Sequence, residues 1–447
     1  LLPYIGLLLY FFFGLNNRKK KMYSRKGFGD LKAKKEISKV QREAILKDPL
    51  VLGDTLGPYK KIILQNIKNS GTILEKNSSI DFYFTGRDAL DAMYQSIQGA
   101  KKHIHLQSYI IENDKTGKRF AQLLKQKAKG GIEVRIIYDG LGSYKLGKEF
   151  IQELTDSGVE MLCFSPVRIL ALTSKLNYRN HRKLLVVDGK EGFLGGVNIA
   201  DRYYYGNSTG DWHDTHLKVV GETVKSLQLC FLLDRYFIKN RKIRKMRKYF
   251  PDIEIPSGAD TPSAKNIFSQ TIISGPDSSW ASIMQCYFSA ITSACNNIFI
   301  VTPYFTPNES ILNAIKIAAL GNIDVRIMIP ETSDSKLTQY GTMSFISELL
   351  DAGVKIYLFK KGFNHSKVLS IDGKMSIVGS ANMDIRSFEH NFEIMQVIYD
   401  SNCAKTIEDN FLLQIKHCRA INSSMWKKRS KKTKLYESIA RLWSPLL

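Results

Sequence analysis

Two stretches of the sequence repeat a pattern of residues that could do nucleophilic and acid–base chemistry. HRKLLVVDGKEGFLGGVNIAD begins at His181, and HSKVLSIDGKMSIVGSANMD begins at His365. Each reads His-x-Lys-x4-Asp and then reaches a Gly-Gly or Gly-Ser pair and an asparagine. Equivalent residues are 184 positions apart, both at the histidines (365 minus 181) and at the asparagines, Asn198 and Asn382 (382 minus 198). One such group is often accidental, but two in matching contexts indicate two parts of one site.

The residue types suit the transfer of a phosphodiester. Two ammonium groups, from Lys183 and Lys367, can hold a phosphate of charge −1, and asparagine side chains add donors to its non-bridging oxygens. One imidazole can attack phosphorus while the other protonates the departing oxygen, and the roles reverse in the second step. The lysines supply the positive charge, so no metal or other cofactor is expected. The two halves of the motif are too alike for the sequence to say which histidine attacks.

The elements around the motifs repeat as well. The segment from His103, HIHLQSYI, matches NIFIVTPYF from Asn297, and IEVRIIYDG from Ile132 matches IDVRIMIPE from Ile323. Strand patterns alternate with helical ones, which is typical of an α/β fold. Each motif reads as a strand, an Asp-Gly turn and a second strand. We therefore predict two α/β domains of similar design that share one active site as a pseudo-dimer within one chain.

Composition limits the partners. The chain has 447 residues, 44% hydrophobic and 24% charged, with a net charge of +23, which predicts an anionic partner: nucleic acid, a membrane surface or a phosphate-bearing substrate. None of the six cysteines falls in a C-x-x-C spacing, so reduced thiols are expected rather than disulfides or a metal site.

The first residues suggest a membrane segment. LLPYIGLLLYFFFGL has fifteen residues without a charge, which at about 1.5 Å per residue reach roughly 22 Å, and the basic stretch NNRKKK follows. We interpret residues 1–22 as a transmembrane segment, possibly truncated, with a basic collar. The positive-inside rule then places the rest of the chain on the cytoplasmic side of the cell membrane. Residues 23–77 read as a connector, part of which is expected to pack on the first domain.

The motif pair resembles the phospholipase D superfamily. Further stretches are similar to the membrane-bound bacterial cardiolipin synthases: the N-terminal segment, GDWHDTHLKVVG from Gly210, VTPYFTP from Val301, RSFEHNFE from Arg386 and the terminal ESIARLWSPLL. The resemblance implies two phospholipase D-like α/β domains, which we place at residues 78–255 and 265–447, with the seam in a Pro- and Gly-containing stretch between them.

The resemblance also implies roles. His181 is expected to become a phosphohistidine, and His365 is expected to act as acid and base. The remaining candidate residues fall into three groups: catalytic, substrate-binding and histidine-orienting. Histidine-orienting carboxylates are expected at Asp214 and Glu393, because a catalytic imidazole needs a partner on its other nitrogen. Candidate catalytic residues are His181, Lys183, Asp188, His365, Lys367 and Asp372; candidate substrate-binding residues are Asn198, Asn382 and Ser380. Asp188 and Asp372, although grouped with the catalytic residues, lie at the turns and are expected to stabilise the hairpins rather than touch substrate.

The resulting hypothesis is a cardiolipin synthase. It would transfer a phosphatidyl group from one phosphatidylglycerol to another and release glycerol. Its expected partners are anionic phospholipids, namely phosphatidylglycerol and cardiolipin, and the membrane, which basic amphipathic sequence near the C-terminus would contact through Leu435, Ile439, Leu442 and Trp443. One alternative is a phospholipase D or a nuclease that hydrolyses phosphodiesters, although the apolar termini disfavour nucleic acid. Another is a non-catalytic lipid-binding scaffold. The preferred headgroups and the oligomeric state are not predicted.

Overall fold

The computed structural model describes residues 29–166, 178–206, 210–240, 246–252 and 266–444. The expected transmembrane segment at residues 1–22 lies outside these ranges, as do residues 167–177 and most of the seam between the domains. In the ranges that are described, no helix is long and apolar enough to cross a membrane.

The first half of the chain begins with helices and continues as alternating strands and helices. Its elements are α1 (Gly29–Lys47), α2 (Gly53–Leu56), α3 (Lys60–Ser70), β1 (Glu75–Thr85), α4 (Gly86–Gly99), β2 (His103–Ser108), α5 (Lys115–Lys129), β3 (Glu133–Asp139), α6 (Lys148–Asp156), β4 (Glu160–Phe164), β5 (Leu184–Val187), β6 (Glu191–Gly195), α7 (Asp201–Tyr205), β7 (Trp212–Gly221) and α8 (Thr223–Lys239).

The second half repeats this order from its first strand. Its elements are β8 (Ile267–Ser274), α9 (Ser282–Thr292), β9 (Asn297–Val301), β10 (Phe305–Thr306), α10 (Glu309–Leu320), β11 (Asp324–Pro330), α11 (Lys336–Met343), α12 (Ile346–Asp351), β12 (Lys355–Phe359), β13 (Phe363–Asn364), β14 (Val368–Ile371), β15 (Met375–Gly379), β16 (Met383–Asp384), α13 (Ile385–Glu389), β17 (Glu393–Tyr399), α14 (Ser401–Ile415), β18 (Cys418–Ala420), α15 (Ser423–Lys427) and α16 (Lys431–Leu442).

One continuous sheet runs through both halves. Across the first half the strand order is β1-β7-β6-β5-β2-β3-β4, and across the second it is β8-β17-β15-β14-β9-β11-β12-β18. The two halves join where β1 pairs with β8 in antiparallel fashion, with Asn77 opposite Ile267. The matching orders on either side of this junction confirm the α/β fold with two repeats of one design.

Helices cover both faces of the sheet. On one face, α4, α5 and α6 bury Leu90, Phe120 and Leu154 over the first half, and α9, α10 and α12 cover the second. On the other face, α8 and α14 share a single core that contains residues of both halves, including Phe231 and Phe411. Because this core crosses the junction, the two repeats are packed as one unit.

The connector, residues 23–77, contacts both halves. Ile63 and Ile67 of α3 are buried in the hydrophobic core of the second half, together with Ile272, and the Asn66 side chain donates to Gln270 Oε1 at 3.1 Å. The last residues of the connector instead belong to β1 and pair with β7 of the first half, with Asn77 opposite Gly221, so the expected packing on the first domain occurs there and not at α3. Apolar residues at helical spacing showed that α3 needs a buried partner but not which repeat supplies it.

Candidate active site

The two motifs are brought together by strands that cross between the halves. The residue before the first histidine, Asn180, bridges to Phe392, and the residue before the second, Asn364, pairs with His213 of β7. The residue after Phe392 is Glu393, and the residue after His213 is Asp214, so an acidic residue follows the pairing partner in both cases. Backbone pairing between the halves therefore sets each histidine beside a carboxylate of the other half.

Each imidazole is held by that carboxylate through Nδ1. His181 Nδ1 lies 3.0 Å from Glu393 Oε1, and His365 Nδ1 lies 2.8 Å from Asp214 Oδ2. Both carboxylates are fully buried. The sequence identified these two acidic residues but not the crossed pairing, because nothing in a linear pattern shows which strand of one half will lie beside the motif of the other.

The two pairs differ electrostatically. Burial lowers the pKa of His181 to about 4, against the attraction of Glu393, and lowers the pKa of His365 well below its usual value, assisted by the lysines. Although burial opposes it, the neighbouring His181 and Lys183 lower the pKa of Glu393, which stays ionised. Burial raises the pKa of Asp214 to about 7 despite Lys367. Below about pH 7, the pair with Asp214 therefore holds a proton that the pair with Glu393 lacks.

The two lysines lie buried close to these pairs. Lys183 Nζ donates to the carbonyl oxygen of His181 at 2.5 Å, and Lys367 Nζ donates to that of His365. Burial lowers the pKa of Lys183 to about 7 and that of Lys367 to about 8. The negative charge of Glu393 raises the pKa of Lys183, and that of Asp214 raises the pKa of Lys367, so these carboxylates limit the effect of burial. A bound phosphate would favour the charged ammonium forms, so the pocket is suited to an anion.

The two asparagines both line the cavity but differ in their contacts. Asn198 Oδ1 accepts from the backbone N–H of Ile110 at 3.0 Å, and its Nδ2 donates to the Tyr203 hydroxyl at 2.6 Å. Asn382 Oδ1 is buried and has no hydrogen-bond partner within the described residues. Asn382 thus has unused hydrogen-bonding capacity at the cavity, whereas the side chain of Asn198 is engaged by its own half.

Ser380 is not placed to bind substrate, which corrects the sequence interpretation. Its hydroxyl is fully buried, donates to Glu393 Oε2 and accepts from the Ile394 N–H at 3.0 Å. It therefore positions the carboxylate that holds His181. At the equivalent position of the first half, a Cβ on Gly196 would lie 2.0 Å from Asp214 Oδ1, so the Asp214 side chain requires glycine there.

Asp188 and Asp372 do not belong with the catalytic residues, and this grouping is also corrected. Each follows the strand that separates it from its histidine, at a turn where its φ is 54°. The Asp188 carboxylate accepts from three backbone N–H groups, those of residues 101, 102 and 103, at 2.7–2.9 Å. Asp372 accepts in the same way from residues 295, 296 and 297. They fix the hairpin to the start of β2 or β9, as the turn position indicated.

Both histidines line a single cavity of about 660 Å³. Aromatic side chains pack against the imidazoles: the rings of Tyr109 and His181 are 4.9 Å apart, and those of Trp212 and His365 are 5.4 Å apart. Further lining comes from Tyr203, Tyr304, Arg179, Arg202 and Arg386, among others. None of these residues belongs to the repeated motif pattern, and aromatic residues near a motif are more often core, so the sequence did not indicate that they line the site.

The variable position of each motif also has a function that the sequence did not reveal. Arg182 is fully buried, forms an ion pair with Asp234 at 2.7 Å, and donates to the carbonyl oxygens of Ser274 and Glu393 in the other half. Ser366, at the equivalent position, accepts from the Thr215 hydroxyl of the first half at 3.0 Å. Both positions thus join the halves beneath the histidines.

Comparison with known proteins agrees with this architecture. The family model described as cardiolipin synthase, PLD-like domain, matches residues 93–222 and again residues 287–414. A cardiolipin synthase of Geobacillus sp. (strain WCH70) is 39% identical over 449 residues, which cover 100% of this chain and 86% of the relative. The chain belongs to the cardiolipin synthase family. A further family member, the cardiolipin synthase of Clostridium perfringens (strain 13 / Type A), is 37% identical over 448 residues and is covered to 92%.

A solved structure shares the fold of this cardiolipin synthase family member. The phosphatidylserine synthase of Haemophilus influenzae Rd KW20 superposes with a TM-score of 0.66, covering 87% of this chain and 99% of that chain at 14% identity. At this level of identity the likeness concerns the fold alone. The family match and the fold together confirm the resemblance to the phospholipase D superfamily that the paired motifs indicated.

Proposed function

We propose that this protein makes cardiolipin by transferring a phosphatidyl group between two phosphatidylglycerol molecules through a phosphohistidine. The observation that carries the proposal is the pair of imidazoles, each held by a carboxylate of the opposite half, on one cavity beside two buried lysines. Family membership supports the phospholipid substrate, because relatives of matching length are named cardiolipin synthase.

In the first step, His181 Nε2 attacks the phosphorus of the donor lipid. Its Nδ1–H donates to the ionised Glu393, which leaves the Nε2 lone pair free for the new P–N bond. The P–O bond to glycerol breaks, and the departing oxygen takes a proton from His365. Lys183 and Lys367 neutralise the charge on the non-bridging oxygens as it develops.

In the second step, a hydroxyl of the second phosphatidylglycerol loses its proton to His365. Its oxygen forms a P–O bond as the P–N bond to His181 breaks, so the nucleophile is regenerated. The products are cardiolipin and, from the first step, glycerol. Water in place of the lipid hydroxyl would give phosphatidic acid, so transfer requires that the lipid alcohol compete well for the cavity.

The difference between the two carboxylates supports this order of roles. The pair of Asp214 and His365 holds a proton below about pH 7, because burial raises the pKa of Asp214 to about 7. A protonated Asp214 can donate to His365 Nδ1 while His365 Nε2–H protonates the leaving oxygen. The ionised Glu393 instead accepts the Nδ1–H of His181, which leaves the lone pair on His181 Nε2 available for attack. The acid function thus fits His365, and the nucleophile function fits His181.

We further propose that the enzyme works at the cell membrane with its domains on the cytoplasmic side. On α16, the apolar side chains of Leu435, Ile439 and Leu442 are exposed, and Trp443 after the helix is exposed as well. They project from a segment rich in lysine, which suits an anionic lipid surface. The expected transmembrane segment at residues 1–22 belongs to this proposal.

Product analysis in phosphatidylglycerol micelles tests the proposed function. Wild type is expected to give cardiolipin and an equal amount of glycerol, and His181→Ala is expected to give neither. Phosphatidic acid as the sole lipid product would establish a hydrolase. Absence of any lipid product, with nicking of added plasmid DNA that His181→Ala abolishes, would establish a nuclease. An intact protein that binds these micelles and forms no product would establish the scaffold.

A further inference from the structure

The internal repeat places two arginines at equivalent positions around the cavity. Arg202 and Arg386 are separated by the same 184 positions (386 minus 202) as the two histidines, and both line the cavity. Each lies four residues after the asparagine of its motif. In a fully symmetric site, the two guanidinium groups would have the same surroundings.

The repeat breaks at the partner of one arginine. Arg202 forms an ion pair with Glu112 at 2.9 Å. The parallel bridge of Ile111 to Ile199 in the first half corresponds to the pairing of Phe305 with Met383 in the second, so Thr306 occupies the position of Glu112. Thr306 has no charge, and its buried hydroxyl is without a partner among the described residues. The second half therefore lacks the carboxylate that neutralises the arginine of the first.

Among the described residues that line the cavity, Arg386 is consequently a cation without a neutralising carboxylate. Lys145 and Arg202 both lie within 4.0 Å of Glu112, and Arg179 lies 3.6 Å from Asp139. The side chain of Arg386 has no ion pair or hydrogen bond within the described ranges. The carboxylate nearest to it in sequence, Asp384, is occupied in capping α13, where it accepts from the Ser387 N–H at 2.6 Å.

We propose that the Arg386 guanidinium binds the phosphate of the acceptor lipid, the phosphodiester that is not cleaved. This inference rests on the proposed function, in which two phosphatidylglycerol molecules, each of charge −1, meet in one cavity. The two buried lysines balance the phosphate under attack. The second phosphate needs a separate counterion, and a free guanidinium offers bidentate donors of the right geometry.

Comparison of two acceptors with one donor tests this assignment. The full-length enzyme acts on phosphatidylglycerol micelles with added radiolabelled glycerol. Attack by the glycerol hydroxyl on the phosphohistidine gives labelled phosphatidylglycerol, and attack by a second phosphatidylglycerol gives cardiolipin. Both reactions use the same donor and the same covalent intermediate, so their ratio reports only the acceptor.

Arg386→Gln is expected to lower the ratio of cardiolipin formation to glycerol exchange about tenfold or more, since a charge-assisted hydrogen bond to the acceptor is lost. Arg386→Lys, which keeps the charge, is expected to restore part of the ratio. Arg202→Gln, the matched control at the neutralised position, is expected to leave the ratio at the wild-type value, whatever its effect on the total rate.

Equal losses of both reactions in Arg386→Gln would overturn the assignment, because they would place Arg386 on the donor or in the fold. A lowered ratio in Arg202→Gln as large as that in Arg386→Gln would overturn it as well. Failure of the proposed function gives a different result: wild type itself would then form no cardiolipin, whether or not labelled phosphatidylglycerol appears.

Discussion

At the scale of single residues, the site concentrates charges that are costly to bury. Lys183, Lys367, Asp214 and Glu393 are all at most 1% exposed. An isolated buried charge would lose several kcal/mol of hydration, so each must be balanced by a partner or change its protonation state. The structure shows both solutions: Glu393 stays ionised beside cations, and Asp214 shifts its pKa upward.

The order of the histidine roles can be tested by trapping the intermediate. The donor is a phosphatidyl ester with a nitrophenol leaving group, whose departure needs no acid. His365→Ala is expected to react with it and to hold phosphorus on the protein, because the base for the second step is missing. His181→Ala is expected to hold none. Intact-protein mass after quenching measures both, and retention only in His181→Ala would exchange the two roles.

The pH dependence of kcat/KM follows from the same shifts. Burial lowers the pKa of Lys183 to about 7 and that of Lys367 to about 8, so both ammonium charges are present below these values and are lost above them. The pair with Asp214 also loses its proton above about 7. Because the pKa of His181 is about 4, this nucleophile stays neutral at pH 5 to 7.

We therefore expect kcat/KM to hold between about pH 5 and 7 and to fall as the pH rises through about 7 to 8. Initial rates at low phosphatidylglycerol across this range provide the measurement. At saturating lipid, the bound phosphate stabilises the charged lysines, so the fall in kcat should move to higher pH. Activity that instead rises steadily between pH 7 and 9 would contradict the assigned protonation states.

The sequence could identify the reacting groups of this site but not their surroundings. The histidines and lysines could be identified because their spacing recurs, and a polar pattern that recurs in matching contexts indicates a shared site. The function of Ser380 was misassigned because a hydroxyl beside a motif can face the cavity or a carboxylate, and only the fold decides. The stretch from Arg386 carried a family resemblance but no individual function for this arginine, because the proposed function depends on the absence of a carboxylate at Thr306, which is visible once the repeats are aligned in space.

At the scale of elements, the Asp-Gly turn after each motif strand positions the strand that carries the lysine. Asp188 and Gly189 have φ of 54° and 69°, so both turn residues occupy the left-handed region that this hairpin type requires. Burial raises the pKa of the Asp188 carboxylate, but the backbone N–H groups of residues 101–103 outweigh it, and the net pKa is lowered. The stability it contributes is thus present above about pH 4 and lost as the pH falls.

Substitution of Asp188 separates a structural from a catalytic function. Asp188→Ala is expected to lower the free energy of unfolding by about 2–3 kcal/mol, because three hydrogen bonds and a residue tolerant of positive φ are lost. Asp188→Asn keeps an acceptor oxygen and that tolerance, and should cost about half as much. Urea denaturation measures both. A loss of kcat in Asp188→Asn without any loss of stability would return Asp188 to the catalytic group.

At the scale of the whole molecule, the active site exists only because the two repeats are joined. The repeat pattern was sufficient to predict two α/β halves, since strand and helix periodicity and the matched motifs are local properties. It could not predict one continuous sheet through β1 and β8, because which edges pair depends on three-dimensional packing. The contacts that cross the junction near the histidines, above all those of Arg182, were likewise beyond the sequence.

The ion pair of Arg182 and Asp234 lies within the first half and is expected to hold the Arg182 side chain at the junction with the second half. Both side chains are fully buried, and Arg182 also donates to two carbonyl oxygens of the second half. Arg182→Met removes the cation and leaves a buried, negatively charged Asp234, so we expect a loss of about 3–5 kcal/mol in the free energy of unfolding. Adding Asp234→Leu should relieve much of that loss, giving a coupling energy above about 2 kcal/mol.

The matched control for this double-mutant cycle is the ion pair of Lys125 and Glu153. Like Arg182 and Asp234, both residues belong to the first half, and their charged atoms are 3.1 Å apart, but the Glu153 side chain is 64% exposed. Because water screens such a pair, its coupling energy should be about 0.5 kcal/mol or less. A coupling energy for Arg182 and Asp234 no larger than this control would mean that the buried ion pair does not stabilise the Arg182 side chain at the junction, and that packing and the contacts with the carbonyl oxygens hold it there.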